Sequence, residues 1–301
     1  MTRSSTSDPA PPRTGLPPRS VIARLVGLCR LVHPFPSLLD AAATGVVALI
    51  AGADAAVAGR LALGMLGLQF AIGAANDLAD ARLDRLSRPS KPLPSGLVGP
   101  RQALAVSVVA AIVGLASAAS VGLAPFAVGV VGLADGLVYD LRLKGTVFSW
   151  LPFAAGVALL PVYAWLGATG ILPVAFWGII PMALLAGAVL AVANALADVE
   201  HDRQAGVTSI ATALGRNRAV AAQGAGLLIL QLTVVTSSVA AGLVAAALPA
   251  LAVGTTLGWV GLSFSASSNE WVARLGWEVQ AVAIVLLGAG WLAVLGSAGL
   301  L

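Results

Sequence analysis

Six of the chain's thirteen carboxylates crowd into two short segments: Asp77, Asp80 and Asp84 in one, Asp198, Glu200 and Asp202 in the other. Acids that only solvate a chain scatter over its loops; these do not. Asn76, Asp80 and Asp84 are spaced by four, as are Asp198 and Asp202, so each set stacks along one face of a helix. Like charges at that spacing cost a few tenths of a kcal/mol when exposed, and more where water is scarce. An arrangement that repels itself twice calls for a cation. Oxygen ligands without His or Cys suit Mg²⁺, which binds through a few carboxylates plus substrate phosphate oxygens. Asp80, Asp84, Asp198 and Asp202 are therefore the candidate metal ligands and catalytic carboxylates. Both clusters fall at helix C-terminal ends, where the macrodipole favours positive charge.

Basic residues stand beside both clusters. Arg88 and Lys91 follow the first within residues 88–96, a loop stiffened by Pro89, Pro92 and Pro94; Lys144 and Arg142 follow Tyr139; Arg203 follows the second cluster. Carboxylates with Mg²⁺ and nearby Lys and Arg make a diphosphate site, because charge-assisted contacts to phosphate are strong. Membrane topology accounts for each single basic residue as well as ligand contact does. Glu200 lies about 200° around a helix from Asp198 and should point elsewhere. His201 is also off the Asp198–Asp202 face and reads as solvated. Asp40 and Asp135 are acids inside apolar stretches, hence functional candidates, although Asp135 lies within a GxxxG pattern that serves close helix packing. His33 reads as interfacial, Cys29 as a small apolar filler and Trp150 and Trp271 as belt residues.

The elements that carry these residues are membrane spans. Hydrophobic residues make up 58% of the 301 and charged ones 10%, with a mean hydropathy of +0.94. So few charges cannot cover a soluble fold of this size, which excludes a soluble cytosolic enzyme. A single cysteine excludes a disulfide scaffold, and the apolar chain excludes disorder. Apolar runs long enough to cross a bilayer core of about 30 Å fall near 35–54, 57–76, 101–119, 121–139, 147–167, 172–195, 217–240, 242–264 and 277–299. This predicts an all-α polytopic protein of about nine transmembrane helices. Residues 1–20, rich in Pro, Ser and Arg, read as a disordered cytoplasmic tail without a signal-peptide core. An amphipathic interfacial helix follows, and 21–301 form the membrane-embedded domain.

Four crossings separate the two acidic clusters, so both face the same side. Eleven of the seventeen basic residues fall in the loops on that side and five in the N-terminal segment, leaving Arg60 alone opposite. The positive-inside rule then makes the N-terminus and the acidic loops cytoplasmic and puts the C-terminus outside. The net charge of +4 reflects topology; no basic patch with interleaved aromatics points to nucleic acid.

Asn76-Asp77-Leu78-Ala79-Asp80-Ala81-Arg82-Leu83-Asp84 resembles the first aspartate-rich motif, NDxxDxxxD, of the UbiA superfamily of intramembrane prenyltransferases. Asp198-Val199-Glu200-His201-Asp202, continuing to Gly206 and Leu214-Gly215, resembles the second, DxxxD. Tyr139 to Lys144 is similar to the intervening YxxxxK element. The resemblance implies a bundle around a central cavity open laterally to lipid, and Mg²⁺-dependent transfer of an isoprenyl group from its diphosphate to a lipophilic or aromatic acceptor. Asn76, Asp80 and Asp84 match first-motif positions and Asp198 and Asp202 the second; with the basic residues beside the clusters, this makes Asn76, Asp77, Arg88, Lys91, Tyr139, Lys144 and Arg203 the candidate substrate-binding residues. One departure bears on substrate preference: many relatives carry an Asp three residues before DxxxD, where this chain has Ala195. The short loop from Arg85 to Gly96 looks more like branches acting on glyceryl-phosphate, chlorophyll-type or homogentisate acceptors than like the hydroxybenzoate branch.

In chemical terms, an allylic diphosphate ionises once its departing charge is neutralised, and an acceptor captures the carbocation in an apolar interior that excludes water. A prenyl-diphosphate cyclase on the same scaffold would use the same groups without an acceptor. A transporter would place its charges near the bilayer midplane with broken helices, not in clusters at one face.

Overall fold

The computed structural model describes residues 20–204 and 206–301, so the predicted tail, but for Ser20, lies outside the described residues. Twelve α-helices make up the described chain: α1 (Val21–Leu31), α2 (Pro34–Ile50), α3 (Ala55–Ser87), α4 (Pro100–Ala119), α5 (Leu123–Val138), α6 (Trp150–Thr169), α7 (Phe176–Ala197), α8 (Val199–Gln204), α9 (Ile210–Leu214), α10 (Arg216–Ala240), α11 (Val244–Ser265) and α12 (Glu270–Ser297), with one π-helical turn at Tyr139–Leu143. No strand occurs among the described residues. Eight helices are long and apolar enough to cross a membrane, and α1 with α2, bent by 55°, pass the same test only as a pair. Counted with that pair, the helices are consistent with the expected nine.

Their ends differ from the sequence reading for local reasons. Asp54 caps α3, its Oδ1 accepting from the Val57 N–H at 2.8 Å. From there α3 runs 33 residues, past the expected end at 76 and through the whole first acidic cluster. Good helix formers continue that far, and Pro89 ends the run. Asn269 caps α12 through the Val272 N–H, which starts the last helix at Glu270 and not near 277. The fifth and sixth helices start later than expected, and α2 ends at Ile50.

Two seams hold the bundle tight. At the α3–α4 crossing, a Cβ on Gly67 would stand 2.7 Å from the Gly114 backbone. At α11–α12, a Cβ on Gly276 would stand 2.4 Å from the Ser265 nitrogen. Small residues let backbones approach this closely, which supplies packing where lipid offers no hydrophobic driving force. Outward faces stay apolar, as with Leu104, Val109 and Ile112 on α4. On α1, Gly27 and Leu31 are buried while Val21, Ile22 and Leu25 are exposed, fitting a helix that lies along the bilayer surface.

Candidate active site

The ends of α3, α5 and α7 and the start of α12 meet on one side of the bundle, and the two acidic clusters meet there with them. Arg88 caps the end of α3, and its Nη2 donates to Asp198 Oδ1 at 2.6 Å across 110 positions of sequence. Arg274, in the second turn of α12, donates to the same oxygen at 3.0 Å. Burial works against the Arg88 charge, but Asp198, Asp84 and Glu270 outweigh it and raise its pKa, so this guanidinium stays ionised. The two motifs are thereby one group of charges.

Within α3 the acids divide into two lines. Asp77 and Asp84, both buried and two helical turns apart, share Lys91, whose Nζ lies 3.1 Å from Asp77 Oδ1 and 2.8 Å from Asp84 Oδ2. Asn76 and Asp80 face the π turn instead. There Asn76 Nδ2 donates to Asp140 Oδ1 at 2.7 Å, and Asp80 Oδ2 pairs with Lys144. The expected single face of Asn76, Asp80 and Asp84 is thus shared between two partners, with Asp84 turned towards Lys91.

The π turn explains the reach of Lys144. Its N–H donates to the Tyr139 carbonyl at 2.8 Å, five residues back, so one extra residue enters the turn. The extra residue rotates the downstream chain by about 100° relative to an α-helix. Tyr139 itself opens the π turn at the end of α5, beside the buried Asp140.

On the second motif, the helix breaks at Asp198, which ends α7, and resumes as α8. The Asp202 N–H still donates to the Asp198 carbonyl at 2.9 Å, so the spacing of four keeps its helical turn. Burial foremost, and the charge of Asp198, raise the Asp202 pKa, although the Ser209 hydroxyl, Arg88 and His201 oppose the shift. Glu200 points the other way and pairs with Arg203 and Arg216. Arg203, expected on the substrate, is more than half exposed on that outer side and is not brought to the group.

The donor set fits hard divalent cations. Seven carboxylates (Asp77, Asp80, Asp84, Asp140, Asp198, Asp202 and Glu270) meet four permanent cations (Arg88, Lys91, Lys144 and Arg274). Asp140 Oδ2 is buried without a hydrogen-bond partner. The site is short of positive charge before any phosphate arrives. Among the described residues no three acids or histidines are gathered as a ready metal cage; Asp80, Asp84 and Asp198 are each turned onto a lysine or arginine, which serves as counterion. Below the charges lies an apolar cavity of ≈ 140 Å³, bordered by Ala43, Val47, Leu160, Met182, Val234 and Leu292.

Four participants escaped the sequence reading. His33 takes a left-handed conformation (φ 48°) at the α1–α2 bend and sets its Nε2 3.2 Å from Asp77 Oδ1. Strain of that kind persists where the surroundings fix it, often at functional sites. Asp140 sits inside the Tyr139–Lys144 element, and burial of an acid beside Tyr139 leaves no periodic signal. Arg274 and Glu270 lie four apart, a helical pairing visible in the sequence once the start of α12 is placed at 270.

A helical membrane bundle with a charged head group site above an apolar cavity defines a membrane enzyme acting on an amphiphile with a polyanionic head. Residues 38–277 match the model of the UbiA prenyltransferase family. Digeranylgeranylglyceryl phosphate synthase of Halobacterium salinarum is 33% identical over 209 residues, 65% of this chain and 71% of that protein. The protein of the same name from Methanopyrus kandleri is 32% identical over 194 residues, 60% and 67% of the two chains. A UbiA homolog from Aeropyrum pernix K1 shares the fold with a TM-score of 0.71 at 22% identity, over 84% of this chain and 96% of that one. A UbiA homolog from Archaeoglobus fulgidus bound to GPP and Mg²⁺ does so with a TM-score of 0.65 at 17% identity, over 89% and 99%. The chain belongs to the UbiA prenyltransferase family, as an integral membrane protein that transfers isoprenyl groups.

Proposed function

We propose that this site binds a prenyl diphosphate with Mg²⁺ and transfers its isoprenyl group to a hydroxyl of a glyceryl phosphate lipid. The observation that carries the reading is the Arg88–Asp198 contact at 2.6 Å, which joins the two acidic motifs into one site. Asp80, Asp84, Asp198 and Asp202 hold the metal; Asn76, Asp77 and Tyr139 shape the head group site. When bound, Mg²⁺ neutralises charge developing on the departing diphosphate. Lys91, Lys144 and Arg88, now on carboxylates, exchange onto phosphate oxygens, where charge-assisted bonds are as strong. The prenyl tail lies in the apolar cavity, which also keeps water from the allylic cation.

The glyceryl phosphate class is supported by the names of the curated relatives, and the same names favour transfer over cyclisation. Residues 21–301 act as one membrane-embedded unit, with the N-terminus and site on the cytoplasmic side and the C-terminus opposite. Purified protein given radiolabelled geranylgeranyl diphosphate and a mono-prenylated glyceryl phosphate should form a di-ether product with Mg²⁺ and none with EDTA. Product formed only with an aromatic acceptor, or at full rate in chelator, contradicts the reading.

A further inference from the structure

Asp40 stands apart from the charges above, in the second turn of α2, among apolar residues. It has a built partner: Gln69 of α3 donates from Nε2 to Asp40 Oδ2 at 2.6 Å. Among the described residues nothing hydrogen-bonds its other carboxyl oxygen. A carboxylate inside a membrane bundle costs several kcal/mol unless it is paired, and such groups mark function. The amide contact occupies Oδ2 and leaves Oδ1 without a hydrogen-bond partner among the described residues.

Depth says what it acts on. His33, seven residues before Asp40 on α2, meets Asp77, eight residues after Gln69 on α3. The Asp40–Gln69 pair therefore lies roughly 10–12 Å deeper than the His33–Asp77 pair, at 1.5 Å per residue. Ala43 and Val47, three and seven residues further along α2 and on the face of Asp40, border the apolar cavity. The order along the bundle is polar head group site, Asp40, then apolar tail site. A prenyl diphosphate spanning the two ends places its reacting carbon between them. A nucleophile enters opposite the departing diphosphate, on the deep side of that carbon. The other intramembrane acid, Asp135, lies against Gly156 of α6 and has no side-chain donor orienting it among the described residues.

We propose that Asp40 is the proton acceptor of the transfer. The acceptor hydroxyl oxygen bonds to C1 of the prenyl group, and its proton passes to the free oxygen of the Asp40 carboxylate. The C1–O bond to the diphosphate breaks, and its electron pair leaves with the diphosphate. The product is an ether, inorganic diphosphate and one proton, later lost to water. This assignment rests on the hydroxyl acceptor proposed above, and Gln69 is a positioning residue within it.

The test compares two acceptors, the mono-prenylated glyceryl phosphate and its analogue with a thiol in place of the free hydroxyl. A thiol is several units more acidic than an alcohol (about 8.5 for a cysteine side chain), so an appreciable fraction is already thiolate at pH 9 without a base. At pH 9 Asp40→Asn should slow transfer to the hydroxyl by at least about 100-fold, the usual worth of a general base, but transfer to the thiol by less than about 3-fold. The Kd for a non-hydrolysable prenyl thiolodiphosphate should stay unchanged. Gln69→Leu should show the same split, more weakly. Equal activity of Asp40→Asn and wild type on the hydroxyl overturns the proposal. So does equal loss on both acceptors, which marks a structural role, and so does a loss on the hydroxyl in Asp135→Asn with Asp40→Asn unaffected. Wild type that transfers to neither acceptor refutes the glyceryl phosphate reading itself, and the proposal falls with it.

Discussion

Lys91 holds Asp77 and Asp84 together, and Lys144 holds Asp80, so each acid of the first motif has a lysine counterion that a metal ion can replace while the lysine turns to phosphate. Removing a carboxylate therefore costs metal and substrate, while the protein keeps its fold. Asp80→Asn or Asp198→Asn should cut the initial rate of prenyl transfer by at least about 100-fold, about 2.7 kcal/mol of barrier, with a melting temperature in detergent close to wild type. Glu200→Gln should keep most of the rate, because Glu200 lies outside the group with Arg203 and Arg216. An inactive Glu200→Gln contradicts the geometry. Spacing of four put the acids of each motif on a common helix turn, because a helix repeats along that interval. It could not show which partner each acid takes. Asp84 turns to Lys91 because the loop of residues 88–96 folds back, and His33 reaches Asp77 only through a strained bend.

At the scale of elements, α3 is the site's main support, and its closest neighbour is α4. The backbone at Gly114 cannot move aside for a side chain at Gly67. Gly67→Ala should lose about 1–3 kcal/mol, the usual cost of overpacking. Gly59→Ala, on the same helix with open space around it, should be neutral or more stable, since Ala is the better helix former. Thermal melts of both in one detergent check the contrast; an unaffected Gly67→Ala contradicts the close crossing. Hydropathy revealed the number of spans. It missed the length of α3 and the start of α12, because the polar ends of these helices are held by caps and by site charges, not by an apolar run. The π turn at Tyr139–Leu143 was likewise hidden: its sequence suits an α-helix, and tertiary contacts of Asp140 and Lys144 decide otherwise.

Across the whole molecule, a shared site requires both motifs on one side of the membrane. In a Cys29→Ser background, cysteines at Ser87 and at the exposed Thr208 should react with an impermeant thiol reagent from the cytoplasmic side, and one at Gly170 from the outside. Opposite labelling of Ser87 and Thr208 contradicts a shared site. The parity of four crossings made that shared side legible in sequence; the contact of Arg88 with Asp198 was not, since no pattern links residues 110 positions apart. The claim that the two motifs act as one site is tested most directly by a double-mutant cycle on the prenyl-transfer rate at saturating Mg²⁺. Groups that act as a unit are strongly non-additive. Asp80→Asn/Asp198→Asn should therefore be no more than about 3-fold slower than the slower single variant. Losses that multiply to roughly 10,000-fold, the product of two independent 100-fold effects, would contradict it.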